Sequence, residues 1–133
     1  MSFRIHIVED NEFMQEMLVE FLNEVSDFEV SGRSTTAEEA MAELLDVKAD
    51  LVLVDMALPG MSGAELITHL RARAVDLPCL IYSGHRERGY VDQALKAGAR
   101  GYLLKGNPDE LPRAIRSVLS GEIYVSVALR STT

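Results

Sequence analysis

Five side chains suited to phosphoryl chemistry each stand just behind a short apolar run. Glu9 and Asp10 follow Phe3–Val8, Asp55 follows Leu51–Val54, Ser83 follows Cys79–Tyr82, and Lys105 follows Gly101–Leu104. Three carboxylates drawn together repel one another unless a cation joins them. An all-oxygen ligand set suits a hard cation, and Mg2+ commonly takes one or two carboxylates with waters and a phosphate. Lys105 would add a fixed positive charge and Ser83 a hydroxyl donor, which together favour a phosphoryl group. One carboxylate in that setting can act as nucleophile and carry the phosphoryl group covalently. Taken singly, Asp55 reads as a loop residue or cap, Ser83 as a turn residue and Lys105 as a surface lysine. Their weight comes from their common place behind successive strands.

The elements that would place them alternate along the chain. Phe3–Val8 reads as a strand, and Phe13, Met14, Met17, Leu18, Phe21, Leu22 and Val25 then recur at helical spacing behind a capping Asn11. Residues 28–32 form a weaker second strand, and Thr36-Ala37-Glu38-Glu39 reads as a capping box for a second helix. Leu51–Val54 is apolar on both faces, as in a covered parallel strand. Ser62-Gly63-Ala64-Glu65 is a second capping box, ahead of Leu66, Ile67 and Leu70. A fourth helix carrying Val91, Ala94 and Leu95 should end at Gly98. The last helix, with Ala114, Ile115, Val118 and Leu119, should stop at Gly121. Pro112 would cost it a backbone bond if Asn107 were the cap, so a later start with Asp109 as cap is expected. The pattern is α/β: a doubly wound, five-stranded parallel sheet with helices on both faces. Ligands of such sheets bind outside the carboxyl ends of the strands, where the five side chains fall. Residues 122–133 have no evident partner element and read as a tail or the start of a linker.

Composition narrows the function. The 133 residues carry 21 acidic and 13 basic side chains, a net charge of −8. That charge repels phosphate backbones and disfavours direct nucleic-acid binding. The acids crowd into residues 1–65, and the second half is basic. No apolar run approaches the ~20 residues of a membrane span, and the N-terminal run is too short for a signal peptide, so the expected location is cytoplasmic. The single Cys79 forms no internal disulfide and reads as inert core. His6 reads as a satisfied buried histidine.

The set Glu9-Asp10, Asp55, Ser83 and Lys105, with Pro59 and Gly63 behind Asp55 and the run Ala97-Gly98-Ala99-Arg100-Gly101-Tyr102-Leu103-Leu104-Lys105, resembles the receiver domain of bacterial response regulators. The likeness spans residues 3–120, so residues 1–120 are the expected receiver and 121–133 the tail. The segment Gly121-Glu122-Ile123-Tyr124-Val125-Ser126 looks most like the NarL/FixJ (LuxR-type) branch, whose members usually carry a helix-turn-helix domain after the receiver. The resemblance implies a flavodoxin-like (βα)5 fold with strand order 2-1-3-4-5. It implies that Asp55 accepts a phosphoryl group from a histidine kinase or phosphotransfer protein. Asp10, Asp55 and the Ala57 backbone carbonyl would hold Mg2+, with Glu9 acting through water. Lys105 and Ser83 would contact the phosphoryl group, and Tyr102 would swing inward behind Ser83. His85 is a candidate modulator of the pocket mouth. The output surface would be the fourth helix, fifth strand and fifth helix, with Arg86, Arg88, Lys96, Arg100, Arg113 and Arg116, and a phosphorylation-promoted homodimer fits the branch.

Two other classes compete. A Mg2+-dependent phosphohydrolase with an aspartyl nucleophile usually needs a second acid two residues on, and that position is Ala57. A nucleotide- or flavin-binding module would need a glycine-rich turn after the first strand, which is missing. The expectation is therefore a signalling switch that phosphorylates itself and has no external product.

Overall fold

The computed structural model describes residues 2–46, 48–73 and 75–130. The chain alternates β1 (Phe3–Val8), α1 (Glu12–Asn23), β2 (Phe28–Ser34), α2 (Ala37–Asp46), β3 (Leu51–Val54), α3 (Gly63–Ala72), β4 (Cys79–Ser83), α4 (Arg88–Ala97), β5 (Gly101–Leu104) and α5 (Leu111–Leu119). Two short elements follow, β6 (Tyr124–Val125) and α6 (Val127–Arg130). All strand pairs are parallel, in the order β2-β1-β3-β4-β5-β6.

Period-two alternation divides the strand side chains between two cores. Ile5, Ile7, Leu51, Leu53, Leu80 and Leu103 pack with Leu18 and Leu22 of α1 and Ala114, Ile115 and Val118 of α5. Val8, Val52, Val54, Ile81 and Tyr102 pack with α2, α3 and α4 through Ala40, Leu66, Ile67, Leu70, Val91 and Ala94. The helices thus lie on both faces, as expected of apolar central strands.

The helix ends follow their sequence signals with two differences. Asn11 Oδ1 accepts the Met14 N–H at 2.9 Å, and Ser62 with Glu65 forms a complete capping box. Thr36 Oγ1 accepts the Glu39 N–H, but the Glu39 carboxylate reaches back to Thr35 instead, taking its N–H and hydroxyl at 2.8 Å each. Gly98 closes α4 in the left-handed region (φ 113°), where a side chain would be strained. A 3-10 turn over Pro108–Glu110 precedes α5, whose cap position is Glu110. The start is therefore late, as the proline requires, and one residue beyond the expected Asp109 cap.

The sheet departs from the expected five strands at its C-terminal end. Tyr124 and Val125 pair with Gly101 and Tyr102, and Leu129 of α6 is buried. Sequence pattern alone misses a two-residue strand because it is too short to show alternation. Residues 131–133 of the expected tail lie outside the described residues.

Candidate functional site

The ends of β1, β3, β4 and β5 converge on one pocket. Glu9 is held there from several sides. Its backbone N–H donates to Ser34 O, and one carboxylate oxygen accepts the Asn11 N–H at 3.1 Å. Its carbonyl accepts Gln15 Nε2 at 3.1 Å, and the same amide group reaches Ser34 O at 2.9 Å. Asp55 is placed by its N–H donating to Val8 O across the sheet, and Oδ1 accepts the Ala57 N–H at 3.3 Å. Lys105 is aimed inward by its N–H donating to Ser83 O at 2.8 Å.

Lys105 Nζ then stands between two carboxylates, 2.9 Å from Glu9 Oε1 and 3.2 Å from Asp55 Oδ2. Carboxylate oxygens of Glu9, exposed Asp10 and Asp55 lie within 4.8 Å of one another. The donor set is all oxygen and anionic, so it fits a hard divalent cation such as Mg2+. Burial, with the nearby Asp55 charge, holds the Glu9 carboxyl above its ordinary range despite its bonds to Lys105 and Asn11. Burial pulls the Lys105 ammonium down, but Glu9 and Asp55 outweigh it and leave it above its usual value. One ammonium cannot balance three acids, so the cluster could hold a further cation.

Ser83 is fully buried, and its Oγ accepts the His85 N–H at 3.1 Å. Tyr102 is also fully buried, its ring already inside, and its hydroxyl donates to His85 O at 2.8 Å. Burial raises the phenol pKa. Both switch candidates therefore hold the backbone of His85. The His85 imidazole points elsewhere: it stacks on Tyr90 with centroids 4.3 Å apart, and Nδ1 lies 3.9 Å from Glu87.

The remaining candidates sort cleanly. His6 is buried with Nε2 2.7 Å from Ser34 Oγ, and Cys79 is buried with its thiol pushed up to about 12. Arg116 leaves the expected output surface, because it grips Asp27 through two bonds of 2.8 and 3.0 Å and lies over the Phe28 ring. That surface is also reshaped by β6, which covers the free edge of β5.

Gln15 escaped the sequence reading. The signal was present: it is the polar member of the buried set Gln15, Leu18, Leu22 on α1. Gln15→Leu would take from the Glu9 carbonyl its Gln15 donor, while Ser34 O keeps the Glu9 N–H, costing about 1–3 kcal/mol. Urea unfolding measures this, and an unchanged midpoint would remove Gln15 from the site's support.

A parallel sheet with its acidic, lysine-bearing pocket at the strand ends defines the flavodoxin-like receiver fold. The Response regulator receiver domain family matches residues 5–116, and the chain belongs to that family, a component of two-component signalling. It is 35% identical to "Transcriptional regulatory protein DesR" of Bacillus subtilis over 89% of this chain and 59% of that protein. It is 32% identical to "Nitrate/nitrite response regulator protein NarL" of Escherichia coli over 94% of this chain and 58% of that protein. The crystal structure of a LuxR-family two-component response regulator from Aurantimonas superposes with a TM-score of 0.92 at 28% identity, covering 97% of this chain and 93% of that one. These relatives are of the NarL/LuxR type, and the chain spans just under three fifths of the length of the curated ones. No helix among the described residues is long and apolar enough to cross a membrane.

Proposed function

We propose that Asp55 accepts a phosphoryl group from the phosphohistidine of a sensor kinase or phosphotransfer protein, in the cytoplasm, and that the adduct switches the output surface. The observation that carries this reading is Lys105 Nζ, placed between Glu9 and Asp55 at the mouth of a three-carboxylate cluster. An Asp55 carboxylate oxygen attacks phosphorus, and the bond from phosphorus to the imidazole nitrogen breaks. The electron pair returns to the leaving imidazole, which takes a proton from solvent. Lys105 pairs with the phosphoryl oxygens, and Ser83 turns its hydroxyl to one of them. Asp10, Asp55 and the Ala57 carbonyl would hold Mg2+, with Glu9 reaching it through water. Bound there, Mg2+ would neutralise charge on the transferring oxygens.

The second acid that a phosphohydrolase usually carries two residues after its nucleophile is replaced here by Ala57, which supports a switch that acts on itself over an enzyme with turnover. Its relatives' names support control of transcription by a longer protein of which this domain is the regulated part. Phosphorylation supplies contacts that exist in one state only, which a population shift requires.

Incubation with Mg2+ and acetyl phosphate, followed by intact mass, tests the reading. One phosphoryl adduct is expected in the wild type, absent in Asp55→Asn and removed by alkali. A wild type that takes up no phosphoryl group, or an adduct that survives in Asp55→Asn, refutes it.

A further inference from the structure

The segment after α5 is tied down more thoroughly than a linker needs to be. Glu110 accepts the Tyr124 hydroxyl at 2.8 Å, the Ser126 hydroxyl at 3.0 Å and the Val127 N–H at 3.0 Å. Burial would raise its pKa, but these three donors leave it below the ordinary carboxylate range. Ser126 is buried, its Oγ also accepts the Leu104 N–H at 2.9 Å, and its own N–H donates to Tyr102 O at 2.9 Å. Arg130 closes the segment on itself, donating to Val125 O at 2.7 Å and lying over the Tyr124 ring. A hydroxyl, an amide and a carboxylate so matched cost free energy if parted without water to replace them.

The same segment touches both routes out of the pocket. The first is β5, whose Tyr102 and Leu104 bond Ser126 and whose next residue is Lys105. The second is the β4–α4 loop: Arg86 and Arg88 line a cleft with Val91 and Leu129. That loop is held by Ser83 Oγ and the Tyr102 hydroxyl, both on His85.

We propose that β6 and α6 form a strap over the edge of β5, clasped by Glu110, whose attachment is set by occupancy of the Asp55 pocket. This rests on the phosphoacceptor reading above. When Ser83 turns to a phosphoryl oxygen, Oγ leaves the His85 N–H. The loop is then free to shift, and with it one wall of the cleft that holds Leu129. Leu129 of α6 lines that cleft, so the shift loosens the strap that carries it. Release of the strap uncovers the β5 edge between α4 and α5.

Hydrogen exchange on the 133-residue chain, with and without beryllofluoride plus Mg2+ as the phosphoryl mimic, tests this. Occupancy of Asp55 is read in parallel by fluorine NMR. With the mimic bound, amides of residues 124–129 are expected to exchange about tenfold faster, the consequence of losing one charge-assisted hydrogen bond. Occupancy with exchange altered only in residues 83–88 overturns the strap and leaves the phosphoacceptor reading standing. No occupancy, together with no phosphoryl adduct on intact mass, overturns both. Glu110→Gln, and Tyr124→Phe as the milder variant, are expected to speed the same amides without the mimic while the mimic still binds. Protection of 124–129 unchanged in both variants overturns the clasp.

Discussion

Lys105→Met is expected to slow phosphoryl uptake by Asp55 about 10²–10³-fold, the usual cost of removing one preorganised charge from a transition state. The variant keeps the length and packing of the side-chain stem and loses the ammonium alone. Its second expected effect is on stability. In the wild type the ammonium is shared between Glu9 and Asp55, whose side chains are 3% and 9% exposed. Without it, the buried Glu9 carboxylate has lost its nearest cation and its pKa climbs further above the ordinary 4.5. A raised carboxyl pKa means the folded state keeps a proton that the unfolded chain gives up. Stability therefore falls as pH rises from about 4.5 toward the folded value, and the fall is steeper in the variant than in the wild type. Mg2+ should recover part of that loss, because it binds only the folded pocket. Acetyl phosphate time courses by intact mass, and thermal melts across pH with and without MgCl2, read both effects. An uptake rate equal to that of the wild type would show that Lys105 is only a structural counter-ion.

The site was legible because its residues are tied to strand ends. Glu9, Asp55, Ser83 and Lys105 each follow a short, largely apolar run that reads as a strand, and parallel topology brings such ends to one edge. What hid was whatever depends on the third dimension across unlike elements. Glu110 looks like an ordinary helix-entry acid in sequence, and only the fold brings Tyr124, Ser126 and Val127 onto its carboxylate. β6 hid because two residues carry no periodicity. His85 stands out in the sequence by its position, and in the fold it is its backbone that meets Ser83 and Tyr102. Ser31 is a further case. Ile5 pairs with Val30 and His6 with Gly32, so Ser31 is the extra residue of a bulge, and its hydroxyl is buried with no hydrogen-bond partner among the described residues.

Gly63→Ala is expected to damage both the fold and the chemistry, although the residue carries no functional group. Gly63 is the first residue of α3, behind the Ser62–Glu65 capping box, and its N–H donates to Met56 O at 2.9 Å. A methyl there would run into the carbonyl oxygen of Asp55, 3.0 Å from Val54 Cγ1 and 3.2 Å from the Asp55 carbonyl carbon. The neighbours are mainly backbone, and of the proposed phosphoacceptor itself, so no flexible side chain can yield. Either α3 lifts from β3 or the Asp55 peptide turns. Overpacking of this kind costs about 1–3 kcal/mol. A displacement of about 1 Å in the nucleophile can cost ~10²-fold in rate. Gly89→Ala is the matched control: it lies in the first turn of α4 and, its own helix backbone and chain neighbours aside, no group among the described residues comes within 4 Å of the added methyl, so its stability should stay within about 0.5 kcal/mol of the wild type. Urea unfolding of the two variants, with acetyl phosphate uptake alongside, separates the cases. A Gly63→Ala protein as stable and as quickly phosphorylated as Gly89→Ala would mean that the close approach of α3 to Asp55 does not position the carboxylate. The lower uptake would have to persist well below the unfolding midpoint, because only then does it report geometry at Asp55 and not a smaller folded fraction.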